Sequence, residues 1–347
     1  VGRGVRSQHA ALLETRAGAL PEGHSVNLPA VAGVGLLAVV LSYVSARYLS
    51  TKFVKMGITG NDIHKPGKPV TAEMGGLSVL FAFLTCSVVI MLATGSPISP
   101  LVAGVATIAG AGVVGMADDL TNMRQRYKPF LIGAAAIPLI AVLWGPSSIE
   151  MPLIGALPVG YVFPLAVVPL AVAISANFTN MLAGFNGLEA GSAVIALAAL
   201  TLLAALRSSY PATIIGVILV CGYLGFLVLN WYPAKIFPGD TGTLMAGAGI
   251  ATIAVLAGLE FAAIVVSIPA AIDFTLKMVA KRPFGGRRVF GDTTVGEDGH
   301  LSAPAYPALV HAFMRVGPLT ERGLVLSVLG MQAFYSALAV TITLFLR

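Results

Sequence analysis

The stretch NFTNMLAGFNGLEAG, residues 177–191, lies between two long apolar runs. It gathers three amides (Asn177, Asn180, Asn186), three glycines (Gly184, Gly187, Gly191) and one carboxylate (Glu189). Such groups buried in hydrocarbon without partners cost several kcal/mol each. The stretch therefore lies in water or lines a polar site, and the rest of the chain has to say which.

The composition settles the setting. Of 347 residues, 57% are hydrophobic and only 10% charged, where soluble domains carry roughly 25% charged residues. Mean hydropathy is +0.89. The chain reads as an integral, all-α membrane protein. Apolar runs long enough to cross a bilayer fall at 29–50, 75–95, 98–117, 129–146, 160–178, 188–206, 212–230, 242–259, 261–280 and 323–346. That makes about ten transmembrane helices. The fourth contains Pro138 and is expected to kink or tilt; 149–160 suggests a surface hairpin. Residues 1–28 form a polar tail, and 29–347 are expected to be one transmembrane domain that includes a long loop at 281–322. Cys86 and Cys221 sit inside apolar runs and read as small core residues.

Charge orients the bundle. Loops after runs 1, 3, 5, 7 and 9 carry Lys52, Lys55, Lys65, Lys68, Arg124, Arg126, Lys128, Lys235, Lys277, Lys281, Arg282, Arg287, Arg288, Arg315 and Arg322, whereas the opposite loops carry only Arg207. By the positive-inside rule the first set faces the cytosol and both termini lie outside. Arg3, Arg6 and Arg16 on the N-terminal tail are discordant. The same loops hold most of the acidic residues and 177–191, so one face is expected to carry the chemistry.

Each of these loops has polar groups in suggestive patterns. Loop 1 (56–76) mixes glycines with Asp62, His64, Lys65, Lys68 and Glu73, a set that also suits a plain solvated connector. Loop 3 opens with Asp118 and Asp119 at the C-terminal end of an apolar helix, where carboxylates oppose the helix dipole. A hard cation would relieve them, and Arg124, Arg126 and Lys128 follow; an interfacial cap is the simpler alternative. Loop 7, NWYPAKIFPGDTGTL, puts Asp240 near a helix start, as an N-cap or a ligand, and offers Trp231, Tyr232 and Phe237 as faces for a base. Loop 9 supplies an arginine cluster suited to phosphate and a short hairpin over the cytosolic face.

Together, ADDLTNMRQRYK, NFTNMLAGFNGLEAG and NWYPAKIFPGDTG resemble the polyprenyl-phosphate N-acetylhexosamine-1-phosphate transferases, and among them the dolichyl-phosphate GlcNAc-1-phosphotransferase branch with its archaeal relatives. The resemblance runs from loop 1 to Asp240, in order and on one side. It implies a ten-helix fold with the active site on cytosolic loops, a UDP-sugar donor, a polyprenyl- or dolichyl-phosphate acceptor, and Mg²⁺, with Mn²⁺ as a substitute. By position it implies Asn180 and Asp240 as metal ligands, with Asp240 also catalytic. Asp118 and Asp119 would stand beside the acceptor phosphate, and Lys128 would touch phosphate. Gly184, Asn186 and Phe237 would form the uridine pocket. Glu73 matches a loop 1 glutamate, and Arg287 and Arg288 match a basic pair that binds pyrophosphate. Loop 9 lacks the histidine-rich motif of the peptidoglycan-precursor branch, and FNGLEA lacks its aspartate, which argues against a peptidoglycan substrate.

The reaction so implied is transfer of GlcNAc-1-phosphate to the lipid phosphate with release of UMP, the opening step of lipid-linked glycan assembly for protein N-glycosylation. Such an enzyme sits in the cell membrane of a prokaryote or the endoplasmic reticulum of a eukaryote. Membrane lipid is its expected surrounding, nucleic acid is not an expected partner, and a homodimer is compatible with the sequence. The same chemistry on another UDP-sugar or lipid is one alternative. A multispan transporter of an anionic substrate is another, disfavoured because transporters place polar groups near the midplane and Asp273 is the main charge inside these spans.

Overall fold

A computed structural model describes residues 28–65, 67–94, 99–152, 154–182, 184–281 and 293–345. The N-terminal tail, Arg287 and Arg288 lie outside them. Helices dominate: α1 (Leu28–Met56), α2 (Gly76–Thr94), α3 (Ser99–Thr121), α4 (Lys128–Ala135), α5 (Ile137–Val142), α6 (Val168–Met181), α7 (Leu188–Leu206), α8 (Tyr210–Asn230), α9 (Gly239–Ala257), α10 (Glu260–Val266), α11 (Ile268–Lys281), α12 (Leu309–Val316) and α13 (Glu321–Phe345).

Each apolar run of the sequence maps onto this list. Among the described residues eight helical spans are long and apolar enough to cross a membrane, α6 counting with the π-turn Phe163–Val167 that leads into it. A ninth is a broken pair, α10 and α11, bent by 60° at Ser267 just ahead of Pro269. The remaining run is the short segment α4–α5, interrupted at Ala136 ahead of Pro138. Proline lacks the N–H of the helical ladder and crowds the preceding turn, which accounts for both breaks. Three small antiparallel hairpins complete the fold: β1 (Thr59–Asn61) with β2 (Val70–Ala72), β3 (Ser147–Met151) with β4 (Gly155–Gly160), and β5 (Thr294–Val295) with β6 (Leu301–Ser302). The hairpin expected near 149–160 is thus present, and one of the two others lies in loop 9.

Helix α9 is the axis of the bundle: 94% of its apolar window is buried, whereas α1 and α13 expose most of theirs. Its sequence GDTGTLMAGAGIATIAVLA is rich in Gly and Ala, and small residues let helix backbones approach closely where lipid supplies no hydrophobic drive between helices. A Cβ on Gly247 would run into the backbone of Ser175 and Ala176 on α6, and one on Gly115 of α3 would meet the Asp240 carbonyl. Side-chain bonds add to this packing: Tyr223 donates to the Gly242 carbonyl at 2.5 Å and Thr179 to the Thr243 carbonyl at 2.8 Å. The N-terminal end of α9 is thereby fixed against α2, α3, α6 and α8.

Replacing Gly247 by leucine is expected to force α6 from α9 and destabilise the protein by about 1–3 kcal/mol or more. Gly330→Ala on α13, where a Cβ meets nothing within 4 Å, is expected to leave the melting temperature in detergent unchanged or higher. Thermal unfolding of both variants checks this.

Candidate active site

Two aspartates and a lysine meet at the start of α9. Asp118 sits in the last turn of α3, Lys128 opens α4, and Asp240 lies in the first turn of α9. The Lys128 ammonium stands 2.8 Å from Asp118 Oδ2 and also bonds Asp240 Oδ2. Lys128 and Asp118 are buried, while the Asp240 side chain keeps 28% of its surface. Asp118 also accepts the Met123 N–H at 2.7 Å, which ties the loop to the helix it leaves. Asn180, on α6, donates through Nδ2 to Asp240 Oδ1 at 2.9 Å. Residues 60 to 122 positions apart thus converge because α3, α6 and α9 pack through glycines.

Asp119 points elsewhere. Its carboxylate accepts the Asp240 N–H at 2.7 Å, the Thr241 N–H at 3.1 Å and the Thr241 hydroxyl at 2.8 Å. It satisfies free donors at the N-terminus of α9, where negative charge suits the helix dipole. The neighbouring pair DD therefore divides: one carboxylate binds the lysine and the other fixes the helix that carries Asp240. Glu73 lies along Gly60 of loop 1, and its carboxyl is held above the usual range by desolvation and then by the charge of Asp119.

Next to this cluster opens a cavity of about 310 Å³. Asp240, Asn180, Gly184, Phe185, Phe237 and His64 are on its wall, with Glu189, Lys277, Tyr306 and His311. Gly184 has φ +124°, a backbone only glycine adopts readily, and space stands open where a side chain would be. Its N–H is received by Glu189 at 2.8 Å. Asn177 makes a bond within α6, to the Ala173 carbonyl at 2.7 Å. The loop 5 amides thus do three different things, and only Asn180 is on the cavity wall.

Asn186 is buried and absent from that wall. Its Oδ1 receives Lys65 and the Ala234 N–H, each at 2.6 Å, and its Nδ2 donates to Asp62 at 3.0 Å. Both lone pairs of the amide oxygen are taken, which leaves one amide hydrogen free for a ligand. Of the aromatic residues in loop 7, Phe237 faces the cavity; Trp231 packs on Gly187, and the Tyr232 ring lies under Lys65 and Arg322. Asp62, His64 and Glu321 place ligand atoms within 4.8 Å of one another, a spacing a metal could use. The ammonium of Lys65 already bonds two of the three.

Several cavity residues carry no role that the sequence motifs assign, among them His64, Glu189, Lys277 and His311. Burial, outweighing the pull of Asp62, holds the His64 imidazole down to about 4, so it is neutral at physiological pH. It stacks on Phe185 with centroids 4.2 Å apart. His311 is likewise lowered by burial, and its Nδ1 faces the Tyr306 carbonyl at 3.1 Å. Lys277 is bound by Asp273 at 2.7 Å and by the Met181 carbonyl at 2.5 Å. Asp273, fully buried, also receives the Leu309 N–H at 2.8 Å, so this buried charge stitches loop 9 to the site. The i,i+4 spacing of Asp273 and Lys277 was the available signal for that pair; nothing local marked the histidines.

Comparison with known proteins identifies the family. The family model described as glycosyl transferase family 4 matches residues 101–258, the segment from α3 through α9. A Sulfolobus acidocaldarius protein, provisionally named UDP-N-acetylglucosamine–dolichyl-phosphate N-acetylglucosaminephosphotransferase, is 34% identical over 88% of this chain and 95% of its own length. A Saccharolobus solfataricus protein with the same provisional name is 31% identical over 88% and 94%. A phospho-N-acetylmuramoyl-pentapeptide-transferase of Geobacillus kaustophilus is 32% identical over 82% and 94%. Likeness over nearly the full length of these relatives, with the matched segment containing Asp118, Lys128, Asn180 and Asp240, places the chain in glycosyl transferase family 4.

Proposed function

We propose that the protein transfers N-acetylglucosamine-1-phosphate from UDP-GlcNAc to a polyprenyl or dolichyl phosphate, as the first step of lipid-linked glycan assembly for protein N-glycosylation. The observation that carries this reading is the juncture of the Asp118–Lys128–Asp240 cluster with a cavity floored by Gly184 and walled by Phe237. The names of the archaeal relatives support the donor and acceptor. An oxygen of the lipid phosphate attacks the β-phosphorus of the donor. The bond from that phosphorus to the bridging oxygen breaks, and UMP leaves. The second pKa of a phosphate monoester is about 6, so the nucleophile is already largely ionised and needs no strong base. The difficulty is to bring one anion against another, which is met by fixed positive charge and alignment.

The donor set suits a hard divalent cation, as the family generally requires. Asp240 and Asn180 stand side by side at the cavity wall, the amide donating through Nδ2 to the carboxylate, and Asp118, Asp119 and Asp240 together exceed the charge of Lys128. Asp240 and Asn180 would hold Mg²⁺ or Mn²⁺, the amide turned so that its oxygen faces the ion. The ion, when bound, supplies charge neutralisation for the donor pyrophosphate. Lys128 orients Asp118 and Asp240 and offers an ammonium to phosphate. Asp119 acts through the α9 backbone, as a positioning residue. Gly184 and Phe237 bracket the uracil, Asn186 contributes at most one N–H, and Glu73 stands beside the site at the loop 1 hairpin. Arg287 and Arg288 remain proposed phosphate contacts. The site faces the cytosol, following the distribution of Lys and Arg.

A second reading, the same chemistry on another UDP-N-acetylhexosamine, is favoured by likeness to the pentapeptide-transferases. Purified protein with lipid phosphate and a panel of UDP-sugars decides between them by the mass of the lipid product. UDP-GlcNAc is expected to release UMP; uptake into vesicles without UMP release would instead make the protein a transporter.

Asp240→Ala is expected to lower metal-dependent transfer by about a thousandfold, and near-normal turnover would sink the metal assignment. Lys128→Met removes the cation that bridges the two aspartates, and breaking a buried pair costs about 3–5 kcal/mol. Its melting temperature is expected to fall in metal-free buffer and to recover in part with added Mg²⁺, which thermal unfolding measures.

A further inference from the structure

A second cluster of charges, distinct from the Asp118–Lys128–Asp240 cluster, borders the same cavity through Asp62. The Lys65 ammonium bonds Asp62, Asn186 Oδ1 at 2.6 Å and Glu321 Oε2 at 3.2 Å. Glu321 uses its other oxygen to accept the Asn186 N–H at 2.9 Å. Asn186 in turn holds Asp62 and the Ala234 N–H. The Tyr232 ring closes the cluster, with Lys65 at 4.5 Å and Arg322 at 4.6 Å from its centroid. Asp62, Asn186 and Glu321 are each 3% exposed, so these bonds operate at low dielectric, where each is strong and its loss costly.

The connections matter more than the count. Asp62 and Lys65 belong to loop 1, Asn186 to loop 5, Tyr232 and Ala234 to loop 7, and Glu321 opens the last transmembrane helix. Three of these segments also supply cavity wall: Asp62, Ile63 and His64 from loop 1, Gly184 and Phe185 from loop 5, Phe237 from loop 7. The backbone at residue 186 is held by a carboxylate more than a hundred residues away, two positions from the left-handed Gly184 of the floor. Glu189 holds that glycine from the other side. A floor that turns on a glycine has little stiffness of its own at that point, so its height is set by what its neighbours bond.

We propose that Glu321 is a positioning residue for the donor nucleotide: with Lys65 it clamps loops 1, 5 and 7 to α13 and fixes the floor on which the uridine rests. This rests on the transferase reading for the identity of the nucleotide, not for the clamp itself. A positioning role for binding moves KM for the donor and leaves the chemical step largely intact. Glu321→Ala removes both acceptors. Glu321→Gln keeps one acceptor for the Asn186 N–H but sets a donor against Lys65.

The test measures initial rates of UMP release against UDP-GlcNAc and, separately, against lipid phosphate, for wild type, E321Q and E321A, together with calorimetric binding of UDP. Hydrogen exchange of a peptide spanning 182–190 follows the floor, and thermal unfolding in detergent shows whether each variant is folded. E321A is expected to raise the donor KM and the UDP dissociation constant about tenfold, with kcat within about threefold and the acceptor KM unchanged. E321Q is expected to give a smaller change of the same kind, with faster exchange at 182–190 in both variants. Wild-type KM and wild-type exchange in a folded E321Q and E321A would overturn the clamp, as would a fall in kcat with donor KM unchanged. Should E321A not fold, E321Q decides alone. A wild-type protein that binds UDP but releases no UMP overturns the transferase reading instead, and UDP binding and exchange still decide the clamp.

Discussion

The bond on which the site depends is the one Lys128 makes to two aspartates at once. Asp118 is buried at the C-terminal end of α3, where the helix dipole opposes it, and Asp240 lies at the N-terminus of α9, where the dipole favours it. The buried Asp118 charge would not be tolerated at that depth without a counterion. The ammonium provides one in a single position, and so draws α3, α4 and α9 to a common point. Asp119 strengthens the arrangement from behind by occupying the free N–H groups of α9.

Such convergence requires helices that come close. Glycine supplies this where Gly115 meets the Asp240 carbonyl and where Gly247 meets Ser175, so the same small residues that make α9 the buried axis also bring Asn180 and Asp240 within hydrogen-bond distance. Packing and chemistry share residues here. The site is therefore rigid on its α3–α6–α9 side and assembled from loops on the other, where the Lys65 cluster, Glu189 and the Asp273–Lys277 pair hold loops 1, 5 and 9.

Two charge clusters with different exposure follow from this division. Around Lys128 the Asp240 carboxylate keeps access to the cavity, so a ligand or cation can reach it. Around Lys65 each acid is almost wholly enclosed and bonded to backbone or amide, a geometry suited to holding loops in register. Similar residue types thus serve different ends because burial differs.

The sequence by itself determined the membrane setting, the number and order of apolar segments, the proline break in the fourth run, and the two hairpins it expected. These depend on local composition and on backbone rules that act within a few residues. Its motifs also brought Asp118, Lys128, Asn180 and Asp240 to notice, since dense polar groups beside apolar runs are conspicuous. Only the tertiary structure decided how neighbours divide their work: that Asp119 turns to the α9 backbone while Asp118 meets Lys128, that Asn186 is spent on Lys65, Asp62 and Ala234, and that His64, His311 and Lys277 stand at the cavity. These outcomes follow from helix packing across more than a hundred residues of chain, and no local pattern carries the direction in which a side chain finds its partner.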